Sequence, residues 1–396
     1  MLITYTLNEP CPKCGMVGRY GNVNVTGSIL NRGCNNCGEW LRYPLPDLKK
    51  EIIYLDQFFL SHAFRKQEQP FVDAARRIED LASRQLVVCP YSSIHTDETH
   101  LWRHEQQESL FKFIKQTARG HKFTEPYEIK KTQMMEAFEA FCSQQDHAVK
   151  PIERDAFREN VHEWDDYFWI DLRPILGDLD AMRQGKSDAI AALVEAFPAW
   201  AKLTTSFEED VAEEARGYGR SLMERYLKMV ASVGEDFMNY MHAPIDSTCV
   251  KSLLHFDSNT KGIELRIQRA NEFLTSQYFA DVPNIRVSCE LFAVLRKMVK
   301  NGSFRNPEKA KKKLSGLFYD TECISVFGPY CDAIFIDRAM KVWCDDSEAG
   351  SLSAFSTKTF SANDWEDFHL YLDGIEQRES AELVEARNLV YPGQIA

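Results

Sequence analysis

Two short apolar runs in this 396-residue chain end in an aspartate: Ile52-Ile53-Tyr54-Leu55 leads into Asp56, and Ala333-Ile334-Phe335-Ile336 leads into Asp337. Runs so short and so apolar predict strands in the middle of a sheet rather than at a wet edge. An acid just beyond such a strand stands where open parallel sheets gather their reactive groups. Two more acids fall in comparable places. Glu98 lies in a helix that Ser92 or Ser93 would cap after a second apolar strand, Leu86 to Cys89, with His95 on the same helical face. Asp320 stands at the start of the helix preceding the strand at 333. Asp332 stays open as a fifth acid, because it precedes its strand and would equally cap a turn or lie on the rim. Carboxylates gathered at one edge repel one another unless cations sit between them, and hard oxygen donors select Mg²⁺ or Mn²⁺. A pair of such ions about 4 Å apart can activate a water and stabilise the leaving oxygen in phosphodiester hydrolysis. Taken singly, each acid reads as an ordinary helix cap or solvated strand end, and the order of all four carries the argument.

A second constellation lies near the start of the chain. Cys11-Pro-Lys-Cys14-Gly and Cys34-Asn-Asn-Cys37-Gly are two Cys-x-x-Cys pairs, each a tight knuckle able to offer two thiolates to one ion. Four soft sulfur ligands favour Zn²⁺ over the harder divalent ions, and a module with so little core would draw its folding energy from the metal. A redox pair would come singly and near a βαβ pattern, which argues against that use. The pattern resembles a zinc ribbon, which implies a role in binding nucleic acid or holding a protein partner. Arg19, Tyr20, Arg32, Trp40, Arg42 and Tyr43 would stack on bases or pack the ribbon onto its neighbour.

The elements that must carry these groups divide the chain in three. Residues 1–46, rich in Cys, Gly, Asn and Pro, form the ribbon. Residues 47–98 give a strand, a helix from about Pro70 to Arg84 with Phe71, Ala74, Ala75, Ile78 and Leu81 on one stripe, and a second strand. From 99 to 315 the pattern is helical, with long amphipathic stretches at Thr132 to Gln144, Asp188 to Lys202 and Phe207 to Tyr240. The α/β pattern resumes at Gly316, runs through a last strand segment at Lys341 to Cys344, and ends in a helix from Asn363 to Glu385; Ser356 to Phe360 reads as a loop or edge strand. Neither flank has enough strands to stand alone, so the simplest reading is one α/β domain, 47–98 plus 316–396, interrupted by a helical insertion.

Composition narrows the function. No apolar run approaches the roughly 20 residues that cross a bilayer, and the N-terminus lacks a signal-peptide pattern, so the expectation is a cytoplasmic protein without a membrane partner. The net charge of −12 excludes a generally basic coat for nucleic acid. Locally the balance reverses. Between Arg286 and Lys313 nine basic residues stand against two acids, and Arg296, Lys297, Lys300, Lys311, Lys312 and Lys313 are candidate contacts for a phosphate backbone approaching Asp320. A solvated helix face would have the same composition. His95, His100 and His104 are expected in one helix; no acid follows His100, which argues against a metalloprotease pattern. The aromatic run Trp164, Tyr167, Phe168 and Trp169 reads as core or oligomer contact.

In their order, Tyr54-Leu55-Asp56, the Pro90-x-Ser92 helix start leading to Glu98, and Asp320 followed by Tyr330-Cys331-Asp332-Ala333-Ile334-Phe335-Ile336-Asp337 resemble a PIN-like nuclease domain. The resemblance covers about 50–98 and 316–372. It implies a parallel sheet between helices and a metal-dependent nuclease, with Asp56, Glu98, Asp320 and Asp337 as catalytic acids and Mg²⁺ or Mn²⁺ ligands. It implies RNA as substrate ahead of DNA, and several members of the family are toxins or act in RNA decay, so a toxin or phage-defence effector fits. The chain departs from a compact member in the insertion of some two hundred residues between the second and third acids. The insertion and the ribbon would serve a homo-oligomer or protein partner. The alternative is a non-catalytic nucleic-acid-binding or scaffold subunit built on the ribbon and helices.

Overall fold

The computed structural model describes every residue except 1, 67, 101, 103, 146–148, 166–178, 237–246, 257–261, 351 and 394–396. Tyr167, Phe168 and Trp169 therefore lie outside the described residues. The chain opens with an antiparallel sheet in the order β1 (Tyr5–Thr6), β2 (Tyr20–Thr26), β3 (Ile29–Cys34), β4 (Trp40–Pro44). A second sheet follows, all parallel, in the order β6-β5-β7-β8, from β5 (Glu51–Leu55), β6 (Val87–Val88), β7 (Ala333–Phe335) and β8 (Lys358–Phe360). Its central strands meet from opposite ends of the sequence, with Ile53, Tyr54 and Leu55 registered against Ala333, Ile334 and Phe335.

Alternation along β5 explains why that strand carries no polar side chain between its ends. Ile52 and Tyr54 point into one core with Val287, Leu291, Ile324 and Phe327, while Ile53 and Leu55 point into another with Phe59, Phe71, Phe335 and Phe368. Both faces of the sheet are thus covered. The second face is built by α1 (Gln57–Arg65) and α2 (Gln69–Ser83), which bury the stripe Phe71, Ala74, Ala75, Ile78 and Leu81. After β6 comes α3 (Ser93–His100), and then α4 (His104–Thr117), so His100 and His104 belong to two helices rather than one.

The helical region runs through α5 (Pro126–Ser143), α6 (Glu153–Ala156), α7 (Leu179–Trp200), α8 (Phe207–Glu235), α9 (Ser247–Phe256), α10 (Ile263–Leu274), α11 (Gln277–Ala280), α12 (Pro283–Lys300) and α13 (Pro307–Lys313). It has a core of its own, with Phe138, Leu222, Leu253, Phe273 and Phe279 buried together. Its last long helix, α12, joins the two, placing Ile285 and Cys289 in the helical core and Val287, Leu291 and Leu295 in the sheet's. Helix α14 (Leu317–Phe327) leads to β7, and α15 (Arg338–Cys344) follows it. The segment Lys341 to Cys344 is therefore helical and not a strand, because Asp337 caps a helix immediately beyond β7. The expected last helix is two, α16 (Trp365–Glu376) and α17 (Ala381–Val390), divided where Ser380 starts a new cap by accepting from the Leu383 N–H.

A buried charge cluster ties these parts at the amino end of the parallel sheet. Lys50, 2% exposed, places its Nζ 2.6 Å from Asp165, which also accepts from Arg119 Nε at 2.8 Å and His121 Nε2 at 3.1 Å. Gln85 exchanges hydrogen bonds with Asp165, and Tyr391 donates to its carbonyl. Burial would push the Asp165 carboxyl up, but His121, Lys50 and Arg119 outweigh it and hold it well below the usual carboxylate range. Among the described residues no helix is long and apolar enough to cross a membrane.

Candidate functional site

Each of the four acids owes its place to a different element. Asp56 follows β5 directly, and its N–H donates to Phe335 O at 3.0 Å, which fixes it at the carboxyl end of the sheet beside β7. Asp337 leaves the same end two residues after β7 and caps α15, accepting from Met340 N at 2.7 Å. Asp56 likewise accepts from Gln57 N, 2.8 Å away at the start of α1. Asp320 sits in the first turn of α14, its carboxylate folded back over Gly316, where an added Cβ would come within 2.8 Å of Oδ2. Glu98 lies in the second turn of α3.

Helix α3 is set against the end of β5 by His95. Ser92 N donates to His95 Nδ1 at 3.0 Å, so the other ring nitrogen carries the proton and donates to Leu55 O at 2.8 Å. Burial lowers the His95 pKa to about 4, keeping the ring neutral. A second tie runs from Gln57 Nε2 to Thr99 Oγ1 at 3.1 Å, joining α1 to α3 beside Asp56 and Glu98. Below them Tyr54 donates to Cys323 Sγ at 3.0 Å and so fastens α14 to β5. His95 thus positions the site through a backbone carbonyl and does not enter it.

The electrostatics report the convergence. Asp56 is 8% exposed, and its carboxyl is pushed well above the usual range first by burial and then by Asp320, Glu98 and Asp337 in that order. Such a group ionises readily only where a cation offsets its neighbours. The donors are all hard oxygens, and Gln57 Oε1, next to Asp56, is buried without a hydrogen-bond partner, a donor set that suits Mg²⁺ or Mn²⁺. The acids are spread along the edge: among the described residues, only the cysteines form a group of three or more potential ligands lying within 4.8 Å of one another.

Asp332 is on the wrong end of the sheet. Its Oδ2 accepts from Ile52 N at 2.8 Å and its own N–H donates to Ile52 O at 2.9 Å, at the amino end of β7 where Asp337 marks the carboxyl end. Its carboxylate holds β5 and β7 in register and is removed from the acidic set.

The basic run divides. Arg296 reaches Glu214 at 2.5 Å and lies 4.8 Å over the Trp200 ring, Lys297 pairs with Asp346 at 3.0 Å, and Lys300 bonds Thr205 O and Asp210. Arg296 and Lys300 bind the helical region together, and Lys297 ties it to the segment after α15. Lys311 makes only a one-turn pair with Glu308, and Lys312 is exposed. Lys313 lines, with Asp320 and Asp337, a cavity of about 210 Å³ whose other walls are apolar, Phe304, Leu317, Met340 and Trp343 among them. The sequence offered no means of telling Lys313 from the rest of the run, because the partners that occupy Arg296, Lys297 and Lys300 come from distant segments.

At the N-terminus, Cys11 and Cys37 have their sulfurs 3.7 Å apart, and Cys14 and Cys34 3.8 Å. A regular tetrahedron on metal–thiolate bonds of ~2.3 Å has edges of about 3.8 Å, so the four fit one tetrahedral ion. Gly15 and Gly38 follow the knuckles at φ of +71° and +72°, left-handed turns that favour glycine. The Met16 backbone and then Asn36 bring the Cys14 thiol down to about 6. Part of the ribbon's basic and aromatic set faces inward. Arg32 donates to Leu389 O at 3.2 Å and to Asn22 Oδ1 at 2.8 Å, Asn22 caps Leu389 and Val390 carbonyls, and Trp164 donates to Pro46 O at 3.0 Å. Arg32 and Asn22 thus dock the ribbon on the end of α17. Arg19, Trp40 and Arg42 remain exposed.

No family model matches the chain, and comparison with curated proteins and with solved structures returned no match.

Proposed function

We propose that this protein is a metal-dependent nuclease of PIN-like design that hydrolyses phosphodiester bonds, RNA ahead of DNA, with a zinc-stabilised ribbon docked on its C-terminal helix. The observation that carries the reading is the buried Asp56 with Glu98, Asp320 and Asp337, delivered by separate elements to the carboxyl end of one parallel sheet. When bound there, Mg²⁺ or Mn²⁺ would supply an activated water and charge to offset the leaving oxygen. The chain's own part is positional. Asp56 and Asp337 are held rigidly by the strands they leave, His95 sets Glu98, and Gly316 leaves room for Asp320. Lys313 is placed to attract a phosphate, and the cavity behind it is apolar enough to seat an unstacked base. A toxin or phage-defence role belongs to this reading as its biological setting.

Cleavage of single-stranded RNA and DNA with Mn²⁺ tests it. The wild type is expected to cut, RNA faster than DNA, and Asp337→Asn is expected to lower the rate by ~10²-fold or more, the scale on which one lost electrostatic contact registers in a transition state. Asparagine caps a helix as well as aspartate, so the loss would belong to the charge. No cleavage by the wild type, or equal cleavage by the variant, returns the protein to a non-catalytic nucleic-acid-binding or scaffold role.

The ribbon carries a separate expectation. Metal analysis should find one zinc per chain, lost in Cys11→Ser with Cys37→Ser, and a strong chelator should unfold 1–46 without melting the parallel sheet, read as loss of hydrogen-exchange protection in β1 to β4 alone. Full protection after zinc removal would contradict it.

A further inference from the structure

Helix α14 has two working faces. Asp320 looks to the acidic edge, whereas Phe318, Thr321, Glu322 and Ser325, at i, i+3, i+4 and i+7, line a second cavity of about 380 Å³. Its other walls come from α5, α8 and α12. Two polar atoms within this lining are buried without a hydrogen-bond partner: Asn284 Oδ1, on a residue 3% exposed, and Thr321 Oγ1, on a residue 4% exposed. Buried polar atoms are ordinarily satisfied, so an unpaired acceptor and an unpaired hydroxyl in one roomy cavity mark where a ligand's hydrogen bonds belong. The Asn284 backbone is fixed by Gln133, whose Oε1 accepts its N–H at 3.0 Å.

The lining also says what kind of ligand fits. Phe292 and Phe318 stand with ring centroids 6.1 Å apart and offer apolar faces to a planar group. Charge is balanced: Lys130 is paired with Glu322 at 2.5 Å, and Arg225 and Glu214 add one of each sign. A strongly charged ligand gains nothing from such a wall. An uncharged planar heterocycle with an N–H or amino group aimed at Asn284 and an acceptor or hydroxyl for Thr321 gains both missing bonds. We infer that this cavity is a regulatory site for a ribonucleoside, which binds between α12 and α14 and thereby sets the position of Asp320 on the opposite face of α14. Its regulatory half rests on the nuclease reading; the binding half does not.

Calorimetric titration of the zinc-bound full chain, without added Mg²⁺ or Mn²⁺, with adenosine, guanosine, cytidine and uridine, and with their 5′-monophosphates, tests the binding. At least one nucleoside is expected to bind one-to-one with Kd below ~1 mM, and its monophosphate no more tightly. Thr321→Val, which keeps the side-chain volume, and Phe318→Ala, at the rim, should each weaken binding about tenfold or more. Asp337→Asn should leave it unchanged, separating this cavity from the acidic edge. No binding by any of the four, binding indifferent to both cavity variants, or binding lost in Asp337→Asn overturns the inference, and none of these outcomes depends on whether the protein cuts RNA.

Discussion

Replacing Asp56 with Asn should make the metal-free protein more stable, by about 1–2 kcal/mol, while abolishing metal-dependent cleavage. The two effects have one cause. Asp56 is nearly sealed from water, and its carboxyl is pushed up by burial and by Asp320, Glu98 and Asp337. A carboxyl whose folded pKa lies above its unfolded value contributes stability at low pH and loses it as pH rises through the folded pKa, so at neutral pH its charge costs folding energy. Asparagine keeps the bond to Gln57 N and the shape, and removes the charge. An acid with only a capping role would show little change, since asparagine caps equally well. Thermal melts of wild type and variant with and without Mn²⁺ read both signs. Mn²⁺ should raise the wild type's Tm and leave the variant's nearly still, because binding to the folded state alone stabilises by mass action. A variant less stable than wild type in the absence of Mn²⁺ would sink this account of the edge.

The second large effect lies at the other end of the sheet. Asp165→Asn is expected to cost about 3–5 kcal/mol, enough to unfold much of the protein at 37 °C, because it leaves the buried Lys50 ammonium, with the partly exposed Arg119 and His121, without their common partner. The size follows from burial: Lys50 Nζ is almost wholly enclosed, and burial already pulls its pKa down against the pull of Asp165. A compensating pair supports the point. Lys50→Met combined with Asp165→Asn should recover part of the loss, because it removes one of the stranded charges. Urea unfolding of the single and the double variant measures it, and an Asp165→Asn protein within about 1 kcal/mol of wild type would show that the cluster is not a clamp.

What the sequence disclosed followed from local rules. The strands Ile52 to Leu55 and Ala333 to Ile336 were visible because a strand buried on both faces must be apolar throughout, and the acids after them because a helix beginning at once needs a cap. That second reason is also why the acids are individually ambiguous: Asp56 and Asp337 do cap α1 and α15. Capping does not require burial among three other carboxylates, and only the fold could show that. The rest depended on distance in the chain. Nothing near Arg296, Lys297 or Lys300 announces Glu214, Asp346 or Asp210 as partners, so a folded ion-pair set looked like a binding surface. Asp332 looked like a member of the site because it neighbours β7, but a strand has two ends and its hydrogen bonds to Ile52 put it at the other one. His95 stood beside Glu98 in the pattern, but its task, ring bonds to Ser92 N and Leu55 O that align α3, depends on the end of β5. Lys50, Gln85, Arg119, His121, Asp165 and Tyr391 share no motif and meet only when the sheet, the helical region and the tail are assembled.

The most direct test is crystallographic: the protein soaked in Mn²⁺, with anomalous scattering measured to locate the ion. The account predicts anomalous density at the carboxyl end of the parallel sheet, coordinated by Asp56 with oxygens of Asp320, Asp337 or Glu98, and distinct from the density at Cys11, Cys14, Cys34 and Cys37. Density at the cysteines alone, with the four acids unmoved and without an ion, would contradict it.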